Sequence, residues 1–355
     1  MFLSLFLLFA AGIYAQSLLV GTYNIRNDNA DDVRAGNGWA RRCPVICNMI
    51  NFEQPDVFGT QEALNHQLRD MTRLLPGYAY IGIGREDGKK GGEYSAIFYQ
   101  KDRVALIKSG NFWLNETPDK PVLGWDAACV RICTWGRFMD RKTQKYFCFF
   151  NLHMDHVGVV ARREAAKLVM KKIREIAGHD PVILTGDFNV DQTNEIYRIF
   201  SDSGLLKDAY AIAKQRFAEN GTFNDFKPEL KTDSRIDHIF LSSQFEVLHY
   251  GILTNSYWTQ CEDQNTQHSD QAPREITFGK SVLRTPSDHY PVLAKVKFVP
   301  AQIKKIGYGK RLLSTEDYST DKRFPLRMMW MRLILLSVRT TSSILADRLA
   351  TKWIL

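Results

Sequence analysis

The apolar run Val182-Ile183-Leu184 stops at Thr185-Gly186 and then presents a carboxylate, Asp187, and a carboxamide, Asn189, two residues apart. Residues at that spacing on an extended chain point to the same side, so both face one pocket at the end of a buried strand. Taken alone, the stretch fits a strand closed by an Asp/Asn turn as well as it fits an active site. The rest of the chain has to decide.

The same punctuation recurs along the sequence. Residues 18–25 read as a strand, and 38–53 as a helix with Val45, Ile46, Met49 and Ile50 on one face. A short strand over 56–60 ends on Gln61-Glu62, and a helix over 67–75 is closed by Pro76-Gly77. Strands over 78–83 and 94–99 flank a glycine-rich hairpin loop at 84–92; no helix follows it, which excludes a nucleotide-binding fingerprint. In the second half, a strand over 145–152 ends at His153 and an amphipathic helix over 161–177 is closed by Gly178. A helix near 195–203 and strands over 235–241 and 290–298 follow, the last alternating cleanly at Val292, Ala294, Val296 and Phe298. Two similar halves of strands and helices predict a layered α/β sandwich built on two packed sheets.

At 355 residues, 45% hydrophobic and 24% charged, the chain is long enough to place one large domain over 18–299. Residues 1–15 read as a signal peptide, an apolar segment of the right length ending in Ile13-Tyr14-Ala15, and predict an exported, periplasmic or extracellular protein. The six cysteines form no Cys-x-x-Cys metal pattern and read as small buried apolar residues; export would permit Cys43 to pair with Cys47, or Cys129 with Cys133. The net charge of +8 invites a polyanionic partner, but residues 301–355 carry eleven Lys/Arg against four Asp/Glu, leaving 36 basic and 35 acidic residues elsewhere. The body is nearly neutral, and 300–355 is a basic tail to which no role attaches.

Polar residues thus stand at strand ends at Asn24, Glu62, His153, Asp187 with Asn189, Asp237, and Asp288 with His289. A hard cation such as Mg²⁺ takes oxygen ligands and keeps several waters, so one or two carboxylates with a few amides suffice to hold it. A carboxylate beside an imidazole fixes the ring's tautomer and raises its basicity. Each position alone has a structural reading as well: Asp237, for instance, could simply pair with Arg235.

Together, Thr22-Tyr23-Asn24, Gln61-Glu62, Asn151-Leu152-His153, Gly186-Asp187-Phe188-Asn189, Arg235-Ile236-Asp237-His238-Ile239-Phe240 and Ser287-Asp288-His289-Tyr290-Pro291 occur in the order found in the endonuclease/exonuclease/phosphatase superfamily, the deoxyribonuclease I-like hydrolases. The chain resembles that family over roughly 19–298, and its motif wording is most similar to the carbon-catabolite-repressor deadenylase branch and its exported bacterial relatives. The resemblance implies a four-layer α/β sandwich of two packed mixed sheets flanked by helices, and metal-dependent phosphoester hydrolysis with Mg²⁺, or alternatively Mn²⁺. It implies metal contacts from Asn24, Glu62 and Asp288. It also implies that His153 binds phosphate oxygens, that Asp187 and Asn189 orient water and phosphoryl group, and that His289, oriented by Asp237 or Asp288, acts as base or charged stabiliser.

One position departs from the pattern. Branches that act on abasic DNA carry an acid two residues after the motif asparagine, where this chain has Arg26, which disfavours a repair role. Trp39-Ala40-Arg41-Arg42, Arg85, Trp125-Asp126, Arg131, Asp155-His156 and Arg162 are candidates for shaping substrate choice, with Arg85 and Arg131 the expected substrate-binding residues. The expected partner is a phosphoester substrate, nucleic acid or small phosphorylated molecule, met by a monomer without an obligate protein partner. A nuclease or other phosphodiesterase is the family default, a phosphatase on small metabolites the alternative. A sphingomyelinase-like lipid phosphodiesterase comes third, hinted at by Phe112-Trp113 and Tyr257-Trp258, and a binding module on a dead scaffold last.

Overall fold

The computed structural model describes residues 17–217, 220–261 and 266–299. The expected signal peptide at 1–15 and the basic tail at 300–355 lie outside them. The strands, in chain order, are β1 (Ser17–Asn24), β2 (Val57–Gln61), β3 (Tyr78–Ile81), β4 (Ile97–Gln100), β5 (Val104–Trp113), β6 (Ile132–Asp140), β7 (Tyr146–His153) and β8 (Val182–Asp187). They continue with β9 (Leu206–Asp208), β10 (Gln215–Phe217), β11 (Asp237–Ser242), β12 (Phe245–Ile252), β13 (Tyr257–Gln260), β14 (Thr266–Gln267), β15 (Phe278–Gly279), β16 (Ser281–Arg284) and β17 (Val292–Phe298). The helices are α1 (Ala30–Arg34), α2 (Trp39–Glu53), α3 (Asn65–Leu74), α4 (Val159–Ala177), α5 (Glu195–Ser201) and α6 (Ala209–Ile212).

Two mixed sheets carry the fold, one ordered β10-β12-β17-β1-β2-β4-β3 and the other β5-β6-β7-β8-β11-β9. The side-chain period of a strand explains how they stack. In β1, Leu18 and Val20 join the core between the sheets, whereas Tyr23 and the following Ile25 face α2 and α3. In β7 and β8, Phe147, Phe149 and Ile183 fill the same central core, while Phe150, Leu152 and Leu184 pack on α4 and α5. Burial on both faces is why these strands read as continuous apolar runs. The layers are therefore helix, sheet, sheet, helix, as expected.

The expected elements stand within a few residues of their places, and the hairpin around 84–92 joins β3 to its antiparallel neighbour β4. Two long strands, β5 and β6, carry no earlier expectation. β5 is an edge strand with Lys108 and Ser109 exposed and a bulge between Leu106 and Lys108, so its alternation is broken. The six cysteines are free thiols: Cys43, Cys47, Cys133 and Cys148 are buried, Cys129 and Cys261 half-buried. Phe112 and Trp113 are buried, which removes them as an exposed apolar hairpin; Trp258 on β13 is 67% exposed.

Candidate active site

Strand register places the chemistry. β7 and β8 run parallel and bring His153 opposite Asp187; β11 runs antiparallel to β8 and sets Asp237 opposite Asp187 from the other side. Three candidate side chains thus form a row at one sheet edge. In the other sheet β1 and β2 run parallel with Asn24 opposite Gln61, so Glu62 emerges at the matching edge, and Asp288-His289 precede β17, which pairs with β1. Arg26, Glu62 and Asn189 have positive φ values of 57°, 63° and 50°, a left-handed conformation that non-glycine residues hold only where surrounding structure fixes it.

The two edges interlock through Asn24. Its Nδ2 donates to Glu62 Oε1 and to Asp187 Oδ2, both at 3.0 Å, and lies 3.4 Å from His289 Nε2. His289 Nδ1 is 2.8 Å from Asp237 Oδ2, and its ring stands edge-on to Phe223 at 5.1 Å. Asp237, not Asp288, orients the imidazole. Asp288 turns instead toward Arg26, 3.4 Å away. Asp237 does not pair with Arg235 either, because Arg235 binds the buried Asp208 at 2.9 Å. His153 Nε2 is 3.4 Å from Asp187 Oδ2, and Asn189 donates from Nδ2 to Met154 O at 2.9 Å.

Burial and charge set distinct protonation states for the two histidines. Burial works against a charge on His289, but the Asp237 and Asp187 carboxylates hold its imidazole well above the ordinary histidine range. Burial, helped by the Arg131 and Arg85 cations, holds His153 well below it. Burial pushes Asp187 up to about 7, with His289 opposing. Near neutral pH the edge therefore offers one imidazolium, His289, and one neutral imidazole, His153.

Glu62, His153, Asp187, Asn189, Asp288 and His289 line a cavity of about 530 Å³ with Arg26, Arg85, Glu93, Arg131 and His156. Arg85 is paired with Glu93 at 2.5 Å. Arg131 sends Nε to Asp155 at 3.4 Å and Nη2 to His156 Nδ1 at 3.0 Å, while its buried Nη1 has no partner. The order of the motifs is matched along the whole domain, where the endonuclease/exonuclease/phosphatase family model covers residues 21–289.

This chain belongs to the endonuclease/exonuclease/phosphatase family. The solved structure of the Bacteroides thetaiotaomicron VPI-5482 mannosyl-6-phosphatase Bt3783 is 49% identical, with a TM-score of 0.73 over 79% of this chain and 100% of that one. Nocturnin of Drosophila melanogaster is 26% identical over 190 residues, 50% of this chain and 28% of its own length. The human nocturnin catalytic domain, solved with a sulfate anion, shares the fold at 19% identity and a TM-score of 0.57, over 80% of this chain and 94% of that one. The chain spans 60% or less of the length of the curated relatives it matches.

Members of the endonuclease/exonuclease/phosphatase family are phosphoester hydrolases that generally use divalent metals. The donor set here fits such an ion. Glu62, Asp187 and Asp288 supply hard oxygen donors to the cavity, Glu62 and Asp187 both accepting from the Asn24 amide, and the buried Asp237 Oδ1 has no hydrogen-bond partner. Ligand atoms of Asp187, Asp237 and His289 lie within 4.8 Å of one another.

Several residues expected to meet substrate do other work. Arg42 is fully buried and donates only to backbone: Nε to Asn37 O at 2.6 Å, Nη1 to Ile25 O at 2.6 Å and Pro286 O at 3.1 Å, and Nη2 to Arg26 O and Asn27 O at 3.2 and 3.3 Å. It ties the loop after Asn24 to the loop before Asp288. Trp39 donates to Asp70, and Asp126 accepts from Val160 and Ala161 at the start of α4, so neither reaches the cavity edge. Arg162 donates to Asp155 O, whereas His156 does line the cavity. Glu93 and Phe223 are among the cavity-lining residues that sequence reasoning missed. Both sit in irregular segments whose position depends on distant strands.

Proposed function

We propose that this chain is an exported, Mg²⁺-dependent phosphomonoesterase acting on a phosphorylated sugar, with Mn²⁺ as an alternative ion. The observation that carries the reading is the mixed charge of the cavity. Glu62, Glu93, Asp32, Asp225 and Asp288 share its lining with Arg26, Arg85 and Arg131. Sugar hydroxyls donate and accept, so the Arg85–Glu93 pair suits them, whereas a nucleic-acid backbone would meet repulsion and wants a basic groove. The 49% identity to a mannosyl-6-phosphatase along that protein's whole length supports the same substrate class.

In this reading Asn24, Glu62 and Asp288 would hold the cation, which when bound would supply positive charge to the phosphoryl oxygens. Asp187 and Asn189 fix an attacking water in line with the phosphorus. His289, kept cationic by Asp237, donates from Nε2 to the phosphoryl oxygens and acts as a charged stabiliser rather than as a base. The neutral His153 contributes a further hydrogen bond to phosphate, and Arg131, which lines the cavity and whose Nη1 has no partner, adds a cation to the substrate side. Export rests on the apolar segment at 1–15, and the enzyme acts as a monomer.

The test is a hydrolysis panel on the purified protein with Mg²⁺ and with chelator, comparing mannose 6-phosphate, an RNA oligonucleotide, a DNA duplex and sphingomyelin. Phosphate release from the sugar ester, stopped by chelator, is the expected result. Cleavage of RNA with the sugar phosphate untouched would restore the nuclease default.

A further inference from the structure

A second cavity, of about 310 Å³, shares Phe223 with the catalytic one. Its volume sits at the small end of ligand pockets, roughly 300–1,000 Å³. The segment carrying Phe223 is pinned to the catalytic loop: Phe223 bridges to His289, Tyr290 N donates to Thr222 O at 2.7 Å, and Asn224 N donates to Asp288 O at 2.7 Å. One ring therefore touches the catalytic imidazole and walls the neighbouring cavity.

The lining of this cavity differs in kind from that of the first. Among the described residues it holds the hydroxyls of Thr254, Ser256 and Tyr290, the amide of Asn220 and the Phe223 ring, and no carboxylate. Lys231 is the one charged residue among its described lining residues, and that charge is matched by Asp233 at 3.0 Å. A second phosphate would find no unmatched cation here. Neutral hydroxyls and amides beside aromatic rings suit a neutral polyhydroxylated group, whose hydroxyls hydrogen-bond while its C–H faces lie on the rings.

We infer that this cavity is a subsite for a second, unphosphorylated sugar, so that the preferred substrate is a phosphorylated oligosaccharide rather than a free sugar phosphate. This rests on the phosphomonoesterase reading of the adjoining site. Phosphate is removed at the catalytic edge while the next saccharide unit is held beyond Phe223, which lowers KM without entering the chemistry.

The experiment compares kcat/KM of the Mg²⁺-loaded protein on mannose 6-phosphate and on a mannose disaccharide with the 6-phosphate on one unit. Ser256→Trp and Thr254→Trp serve as blocking variants, since both positions are exposed and outside the catalytic machinery. The disaccharide phosphate is expected to be favoured by about tenfold, through KM. Both variants should erase that preference and leave turnover of mannose 6-phosphate within about twofold. Equal kcat/KM for the two substrates in the unmodified protein, or a preference that survives both variants, would overturn the subsite alone. Failure to hydrolyse either sugar phosphate would overturn the phosphomonoesterase reading and the subsite with it.

Discussion

Gln61 Nε2 donates to Asn151 Oδ1 at 2.7 Å, joining β2 of one sheet to β7 of the other directly behind the catalytic edge. Asn151 also donates from Nδ2 to Thr60 O and Ala96 O, both at 2.9 Å, and accepts from Thr185 Oγ1 at 3.1 Å. A buried amide with its donors and acceptors all engaged fixes the register of the two sheets more sharply than apolar packing alone. The site sits on both sheets, so this cross-link sets the distance between its halves.

Gly59 makes room for that amide. A Cβ at position 59 would lie 2.1 Å from Asn151 Oδ1, in a place where nothing flexible can give way. Gly59→Ala is expected to destabilise the protein by about 2–4 kcal/mol, from overpacking and loss of a buried hydrogen bond. Urea unfolding followed by tryptophan fluorescence checks this. A variant within about 0.5 kcal/mol of the parent would show that the sheets are not joined so tightly.

Arg42 does for the loops what Asn151 does for the sheets. Arg42→Met would strip donors from five buried carbonyls and cost at least about 3 kcal/mol. Arg42→Lys keeps a cation but not the planar fork, so it should fold, with turnover lowered about tenfold as Asn24 and Asp288 lose their mutual placement. Thermal melting and kcat at saturating substrate separate the two effects. Unchanged kcat in a folded Arg42→Lys would remove any link between clamp and catalysis.

The row of polar side chains at the candidate site was legible in the sequence because strand ends declare themselves. Apolar runs stop at Asn24, Glu62, His153 and Asp187, and parallel or antiparallel pairing then brings those ends to one side. Arg42 reads from sequence as a candidate for shaping substrate choice because charge alone does not reveal that an arginine is buried among carbonyls. Glu93 was missed because no apolar run ends on it: Tyr94 forms only an isolated bridge to Ala63 before β4 begins. Strand β5 escapes for a related reason, since an edge strand with a bulge lacks the alternation that marks a buried one.

Asp155 gives a pH-dependent check on the scaffold beside the cavity. Burial alone would raise its pKa, but hydrogen bonds from the backbone N–H groups of Gly158, Val157, Ala128 and Cys129 bring it down to about 2. Its pKa is depressed relative to the unfolded chain, so its contribution is fully present above about pH 4 and is lost as pH falls toward 2. The stability gap between the parent and Asp155→Asn should stay constant from pH 7 to about 5 and narrow below about 4. Urea titrations across that range read it directly, and a gap independent of pH would refute the assignment.

Metal binding and substrate binding should come apart under mutation. Glu62 accepts from Asn24 Nδ2 and from Asn27 N at 3.1 Å, which holds its carboxylate toward the other acids of the cavity. Glu62→Gln removes a charged oxygen donor and should raise the Mg²⁺ concentration for half-maximal activity by about tenfold or more, with KM for sugar phosphate little changed at saturating metal. Arg131 stands on the opposite behaviour, because its free Nη1 belongs to no metal-directed group. Arg131→Met should raise KM by about tenfold and leave the Mg²⁺ requirement where it was. Steady-state kinetics over a grid of metal and substrate concentrations distinguishes the two, and a shared shift in both variants would mean that the cation and the sugar phosphate are not held by separate groups.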